Sequence, residues 1–315
     1  MMLARVADSL YWIGRYVERA EHMCRLSDVM LNATLDRSDA ANLVASIALS
    51  AVGDPEMAKA KTPYDAALAL ALDRTDYLSI YSSIAMAREN ARQVRDQITT
   101  ETWERLNLIY LRMNDPAARG SFEGGSQLFL HDTIADLHLF KGAGDATMSH
   151  GEGWSFLLLG VYLERAQLIG SLLEVVFGEG RKRKPVTDHF ALTSVLRMGC
   201  ALEPYLRVYT AEMQPRYILE FLTLDEDFPR SIRFCTDQIE THLSAIIRHA
   251  GMAGRVGPDR LAGRLRARLQ YADMDELETL GASPFLKTVL DEFSAIHRSL
   301  YDAFVAYPLD ERLPA

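Results

Sequence analysis

The sequence predicts an all-α protein, an internally duplicated helical bundle whose two pseudo-equivalent halves pack as one large domain. Three observations carry this. Strand patterning is nearly absent, because no run of alternating β-branched residues is bounded by turn pairs. Helical periodicity recurs along the chain: Ile80, Ile84, Ala87, Ala91, Val94 and Ile98 follow i, i+4, i+7, i+11, i+14 and i+18, one core stripe. The hexad YVERAE at 16–21 returns as YLERAQ at 162–167, with Glu-Arg at its centre both times.

The repeat extends beyond the hexad. Gly14, Tyr16, Glu18, Arg19 and Ala20 match Gly160, Tyr162, Glu164, Arg165 and Ala166 at an offset of 146. The segment 43–52 resembles 192–201 at an offset of 149. Pro63, Leu72-Asp73 and Ser79-Ile80 match Pro215, Leu224-Asp225 and Ser231-Ile232 at an offset of 152. Offsets that grow in chain order mean small loop insertions between equivalent helices. The halves are therefore placed at 1–148 and 149–315, joined within 141–153.

Each half opens with its hexad helix and passes a second apolar helix. An Asp-rich link follows, DRTDYLSI at 73–80 and DEDFPRSI at 225–232. Its carboxylates are expected to cap the next helix, with Pro229 in that helix's first turn. Later helices are predicted near 101–113, 122–140, 259–272 and 284–306. Glycine- and proline-bearing stretches at 114–125, 141–153, 178–185 and 249–259 read as breaks.

A chain of 315 residues buries about three quarters of its unfolded surface. Its net charge of −9 argues against general binding to nucleic acid or to an anionic membrane. The N-terminal stretch carries charges throughout and lacks an apolar core, so it does not read as a signal peptide. Residues 154–177 are mostly apolar, but Glu164 and Arg165 sit mid-span, where a charge in a membrane costs about 2.5–3.5 kcal/mol. This stretch reads as a helix buried inside the protein. Cys24, Cys200 and Cys235 form no CxxC, and each falls in a helical pattern; reduced thiols in a cytoplasmic protein are expected.

Adjacent helix residues point about 100° apart, so Glu18 and Arg19 cannot pair with each other. Around Glu18, Tyr11, Arg15, His22 and Arg25 form a polar stripe. Around Glu164, the same positions are Leu157, Val161, Leu168 and Ser171, so Glu164 is expected to be buried. A buried carboxylate takes a cationic partner or a proton. Arg15, Arg19 and Arg88 are the candidate partners. The candidate catalytic residues are Glu18, Arg19, Glu164 and Arg165, and the candidate substrate-binding residues are Arg15, His22, Arg88, Glu89 and Arg92. A purely structural ion network explains the same hexads.

Arg88, Arg92 and Arg95 flank the core stripe and are expected to face the groove near the hexad helices, as clamps for carboxylate or phosphate groups. Glu89 is spaced to bridge to Arg92, and Glu18 to hydrogen-bond His22 along the helix. Arg260, Arg264 and Arg268 form an exposed basic stripe, and RKRK at 181–184 a basic loop. No HExxH, Glu-x-x-His pair, P-loop, GxGxxG or GxSxG occurs, so no metal or cofactor is predicted.

YWIGRYVERAEHMCR near the start, ARENARQVRDQITTETWERLN at 87–107, FLLLGVYLERA at 156–166 and FLTLDEDFPRSI at 221–232 together resemble the alpha-E family of bacterial all-helical proteins. The resemblance covers nearly the whole chain and implies a cytoplasmic protein encoded beside an ATP-grasp amide ligase and a transglutaminase-like thiol peptidase. It implies no particular activity. Two classes stay open. One is a non-catalytic subunit or substrate-handling partner of a ligase making a peptide-like molecule. The other is a metal-independent enzyme using a buried Glu as acid or base with arginine clamps.

Overall fold

The structure, a computed structural model, describes residues 2–35, 39–53, 60, 62–178, 186–210, 212–251 and 257–305. Among them every regular element is a helix. Two long helices, α1 (Ala4–Ala33) and α8 (Glu152–Phe177), cross at the centre. Each carries one hexad.

Around α1 pack α2 (Asp39–Val52), α3 (Pro63–Leu72) and α4 (Ile80–Gln93). Next in the chain come α5 (Thr100–Asn114), α6 (Ala118–Gly124) and α7 (Ser126–Thr147), with α7 returning to α1. After α8 the order is α9 (His189–Met198), α10 (Leu202–Tyr209), α11 (Pro215–Leu224), α12 (Ile232–His249), α13 (Gly257–Tyr271), α14 (Met274–Leu280) and α15 (Ala282–Phe304). α12 and α15 lie against α8 much as α4 and α7 lie against α1. The core stripe of α4 is buried throughout, and it continues past the helix end through Val94 and Ile98.

α8 is long and apolar enough to cross a membrane, but it forms the centre of the bundle and most of its apolar window is buried. Glycine makes the crossing possible. A Cβ on Gly14 would press on the Leu157 carbonyl oxygen and come 2.9 Å from the Val161 nitrogen. A Cβ on Gly160 would do the same to the Tyr11 carbonyl and come 3.1 Å from the Arg15 nitrogen.

Several expectations are corrected. The Asp-rich links do not cap the following helices with carboxylates. Ser79 and Ser231 are the N-caps, accepting from the Ser82 and Phe234 nitrogens at 3.0 Å. Both serine hydroxyls also donate back, Ser79 to the Asp73 carbonyl and Ser231 to that of Asp225. Asp73 and Asp225 instead end α3 and α11, and their side chains hold the turn by accepting from backbone nitrogens two or three residues on. Pro229 precedes the cap and is not in the first turn of α12.

The expected break at 141–153 is only the short stretch 148–151, because α7 runs on through Gly142 and Gly144. At Gly144 a side chain is unwelcome, since the Trp154 ring lies 3.3 Å from where its Cβ would be. The break at 114–125 contains α6. Cys24 and Cys235 lie in helices, but Cys200 sits in the turn after α9 with φ of 54°. The stretch RKRK and the C-terminal residues 306–315 lie outside the described residues.

Candidate functional site

Where α1 crosses α8, the two Glu-Arg pairs exchange partners. Arg19 Nε donates to Glu164 Oε1 at 2.6 Å, and Arg165 donates from Nε and an Nη to the two oxygens of Glu18 at 2.8 and 2.9 Å. The 100° offset between neighbouring helix positions forces this arrangement, because each glutamate faces the opposite helix. Both arginines also lie over the tyrosine three residues before them: Arg19 is 5.5 Å from the Tyr16 ring and Arg165 5.2 Å from that of Tyr162.

Around Glu164 the network is small. Arg15 Nε donates to Oε2 at 2.5 Å, and its terminal nitrogens reach Gln167 Oε1 at 2.6 Å and the Tyr11 hydroxyl at 3.0 Å. Tyr11 in turn meets His297 Nδ1 at 2.8 Å. Glu164 is 3 % exposed, as its apolar helix face predicts. Arg88 is not one of its partners.

Around Glu18 the network is larger and includes Glu21, the last residue of the first hexad. Arg230 binds Glu18 at 3.0 Å and Glu21 at 2.5 Å, and Lys141 binds them at 2.6 and 2.5 Å. Arg25 and His138 add contacts to Glu21 at 2.8 and 3.2 Å. Three buried carboxylates thus meet six cationic side chains: Arg15, Arg19, Arg25, Arg165, Arg230 and Lys141. Burial pushes the pKa of Glu18 up, but Arg165, Lys141 and Arg230 outweigh it and hold the carboxyl well below its usual range. Burial likewise opposes, and arginines overcome, at Glu21 and Glu164. All three stay ionised.

His22 does not hydrogen-bond Glu18. The Glu18 oxygens are taken by Arg165, Arg230 and Lys141, and neither ring nitrogen of His22 has a partner. Burial, then the nearby Arg230, push its pKa down to about 4, so it is a neutral core histidine.

The basic stripe of α4 faces α5 and solvent, away from the hexads. Arg88 bonds Asn107 at 3.1 Å and lies over the Tyr110 and Trp103 rings. Arg92 is exposed and paired with Glu89 at 2.7 Å, and Arg95 reaches the Ile98 carbonyl and the Thr100 hydroxyl. The apolar residues of α4 occupy its α1 side, which turns the arginines outward. Arg260, Arg264 and Arg268 are exposed on α13.

Beside Glu164 a cleft of about 390 Å3 opens between α1, α8 and the link before α4, lined among others by Arg19, Leu78, Leu168 and Glu174. A smaller cleft of about 210 Å3 touches the other end of the network at Lys141 and Arg165. Among the described residues no group of three or more His, Cys, Asp or Glu side chains is placed to hold a metal ion.

Comparison with known proteins bears on this twice-used Glu-Arg pair. The chain matches, over residues 2–305, Alpha-E, described as a predicted alpha-helical domain with a conserved ER motif. It belongs to the Alpha-E family. An uncharacterized protein of Mycobacterium bovis and one of Mycobacterium tuberculosis are each 23 % identical to this Alpha-E chain over 320 residues. The match covers 95 % of the chain but 36 % of each relative, so the chain spans about a third of the length of the curated relatives it matches. No solved structure matches it.

Proposed function

We propose that this Alpha-E chain is a non-catalytic, cytoplasmic helical module that handles substrate for an ATP-grasp amide or peptide ligase. One observation carries the non-catalytic half of this reading: Glu18 and Glu164, the carboxylates best placed for chemistry, are locked by cations. An acid or base must exchange a proton near the working pH. Two or more cations on each carboxylate oppose that, so the alternative of a stand-alone enzyme is less favoured. What the network does supply is a rigid joint, since removing one member of a buried pair typically costs about 3–5 kcal/mol.

The partnership with a ligase and a transglutaminase-like protein rests on the family resemblance. We also infer that residues 1–148 and 149–315 descend from one duplicated unit. Support comes from the reciprocal Gly14 and Gly160 contacts, the exchanged Glu-Arg pairs, and the matching hydrogen bonds of Ser79 and Ser231.

The test is co-purification with the neighbouring ligase, followed by ligation assays with and without the chain. Stable co-elution and a ligase that is slow alone are expected. A ligase equally active without the chain, and no co-elution, would end this reading.

A further inference from the structure

The cleft at Glu164 has an unequal counterpart in the other half of the molecule. On the Glu18 side, Arg230 fills the space beside the carboxylates, bonding both Glu18 and Glu21. The residue 152 positions earlier is Leu78, and it lines the open cleft. An arginine takes this position in one half and a leucine in the other, and the cleft of about 450 Å3 on the Glu18 side, at Arg25, Asp28, Val29 and Cys200, lies further out and is not lined by Arg230.

The Glu164 cleft is bipolar. At one end Arg19 is spent only in part, for its Nε serves Glu164 while its two terminal nitrogens have no hydrogen-bond partner among the described residues. Its side chain is 13 % exposed and lines the cleft, with the guanidinium 5.5 Å from the Tyr16 ring, which leaves four N–H groups in a planar fork for a ligand. At the other end stands Glu174. Its Oε1 accepts from the Ser283 hydroxyl at 2.7 Å, with Lys287 at 3.7 Å, and its Oε2 is buried without a partner. Between them the wall is apolar, from Met23, Leu168, Val175 and Leu290.

A planar fork of donors matches a carboxylate, and the Glu174 carboxylate, whose side chain is 22 % exposed at the cleft and is held by Ser283 with Lys287 at 3.7 Å, matches an ammonium or amide N–H. We infer that this cleft binds a short peptide of apolar residues with a free C-terminus, its carboxylate on Arg19 and its amino end at Glu174. The size fits. Glu164 and Glu174 are ten residues apart on α8, about 15 Å along its axis. An extended tripeptide covers about 10 Å, and the two anchoring side chains close the difference. Leu168 and Val175, about 10 Å apart along one face of α8, then offer apolar contact to the side chains between the two ends.

This deepens the proposed substrate-handling role and rests on it for meaning, but binding is a property of the chain alone and is measured without any ligase. Isothermal titration with trileucine, trileucine amide and N-acetyl-trileucine is the test. Trileucine should bind saturably, the amide at least tenfold more weakly, and the N-acetyl form several-fold more weakly. Glu174→Gln should erase the difference between the free and acetylated amino ends while keeping the preference for the acid.

Arg19→Gln disturbs Glu164 as well and is not decisive. Leu78→Arg, which places in this half the arginine that the other half has as Arg230, should abolish binding while circular dichroism stays native. Ser171→Trp, across the cleft mouth, should do the same. The inference is overturned if trileucine gives no saturable heat, if acid and amide bind alike, or if folded Leu78→Arg and Ser171→Trp bind as wild type does. Binding without ligase co-elution would leave the cleft standing and remove the proposed partnership.

Discussion

Gly14 and Gly160 meet backbone to backbone where α1 crosses α8, each lying where a side chain would press on a carbonyl oxygen of the other helix. The contact lets the helices approach closely enough for Arg19 and Arg165 to reach across. Gly14→Ala and Gly160→Ala should therefore each destabilise, by about 1–3 kcal/mol or more, as overpacking does when backbone cannot yield. Gly142→Ala is the control. It lies inside α7 with nothing near its missing Cβ, so it should gain about 0.5–1 kcal/mol from helix propensity. Urea unfolding of the three variants decides this, and equal effects at Gly14 and Gly142 would refute the crossing argument.

The ion network predicts an order of severity. Glu164→Gln should cost about 3–5 kcal/mol, since Arg15 and Arg19 are left buried without their charge. Glu18→Gln should cost at least as much, because Arg165, Arg230 and Lys141 all depend on it. Glu89→Gln, which breaks only the exposed pair with Arg92, should stay within about 0.5 kcal/mol. Should Glu18→Gln unfold at the same urea concentration as Glu89→Gln, the network is not a structural joint.

Much of this was readable before the structure. Helical period placed α5, α13 and α15 to within about two residues, because their apolar stripes are long and regular. The neighbouring Glu and Arg could be argued apart on geometry alone, and the apolar face around Glu164 foretold its burial. Lys141 and Arg230 were missed. Each is more than a hundred residues from Glu18 in the chain, and each sits in a stretch whose glycines or aspartates read as a break or turn. Glu21 left a trace, since it ends the first hexad where Gln167 ends the second, and both accept from an arginine of the network. The outward turn of Arg88 and Arg92 was missed because flanking an apolar stripe fixes a residue's angle only loosely; the neighbour on that side, α5, decides it.

The three thiols should differ in reactivity. Cys24 and Cys235 are fully buried, and burial pushes the Cys24 thiol far up and that of Cys235 up to about 12. Cys200 is only partly covered, and its pKa is raised by burial too. The thiolate is the reacting form, so native protein should react slowly with an aromatic disulfide reagent at one thiol per chain, and at all three after denaturation. Mass mapping should place the native label on Cys200. Rapid native labelling of Cys24 would contradict the packing of α1.

The final prediction concerns stability between neutral pH and pH 5.5, and it isolates His22. In the folded chain its pKa is about 4, depressed by burial and then by Arg230, with Glu18 and Glu21 pulling the other way and Arg25 adding a smaller depression. In the unfolded chain it returns to about 6.5. Between these values the unfolded state binds a proton that the folded state refuses, so stability is lost as pH falls through 6.5 toward 4. His242, also depressed to about 4 by burial and then by His150, acts in the same sense. The carboxylates Glu18, Glu21 and Glu164 have lowered values, so their loss begins only below the usual carboxylate range. His297, lowered by burial and then by Arg15, adds to the histidine loss, while Asp8 and Glu292, raised by burial, oppose it as pH falls. His22 and His242 should each withdraw about 1 kcal/mol between pH 7 and 5.5. His22→Leu, which removes two unpartnered ring nitrogens from the core, should thus lose about 1 kcal/mol less than wild type over this interval. Urea titrations of both proteins at the two pH values measure the difference. An unchanged loss in His22→Leu would mean that His22 is already protonated or solvated in the folded state.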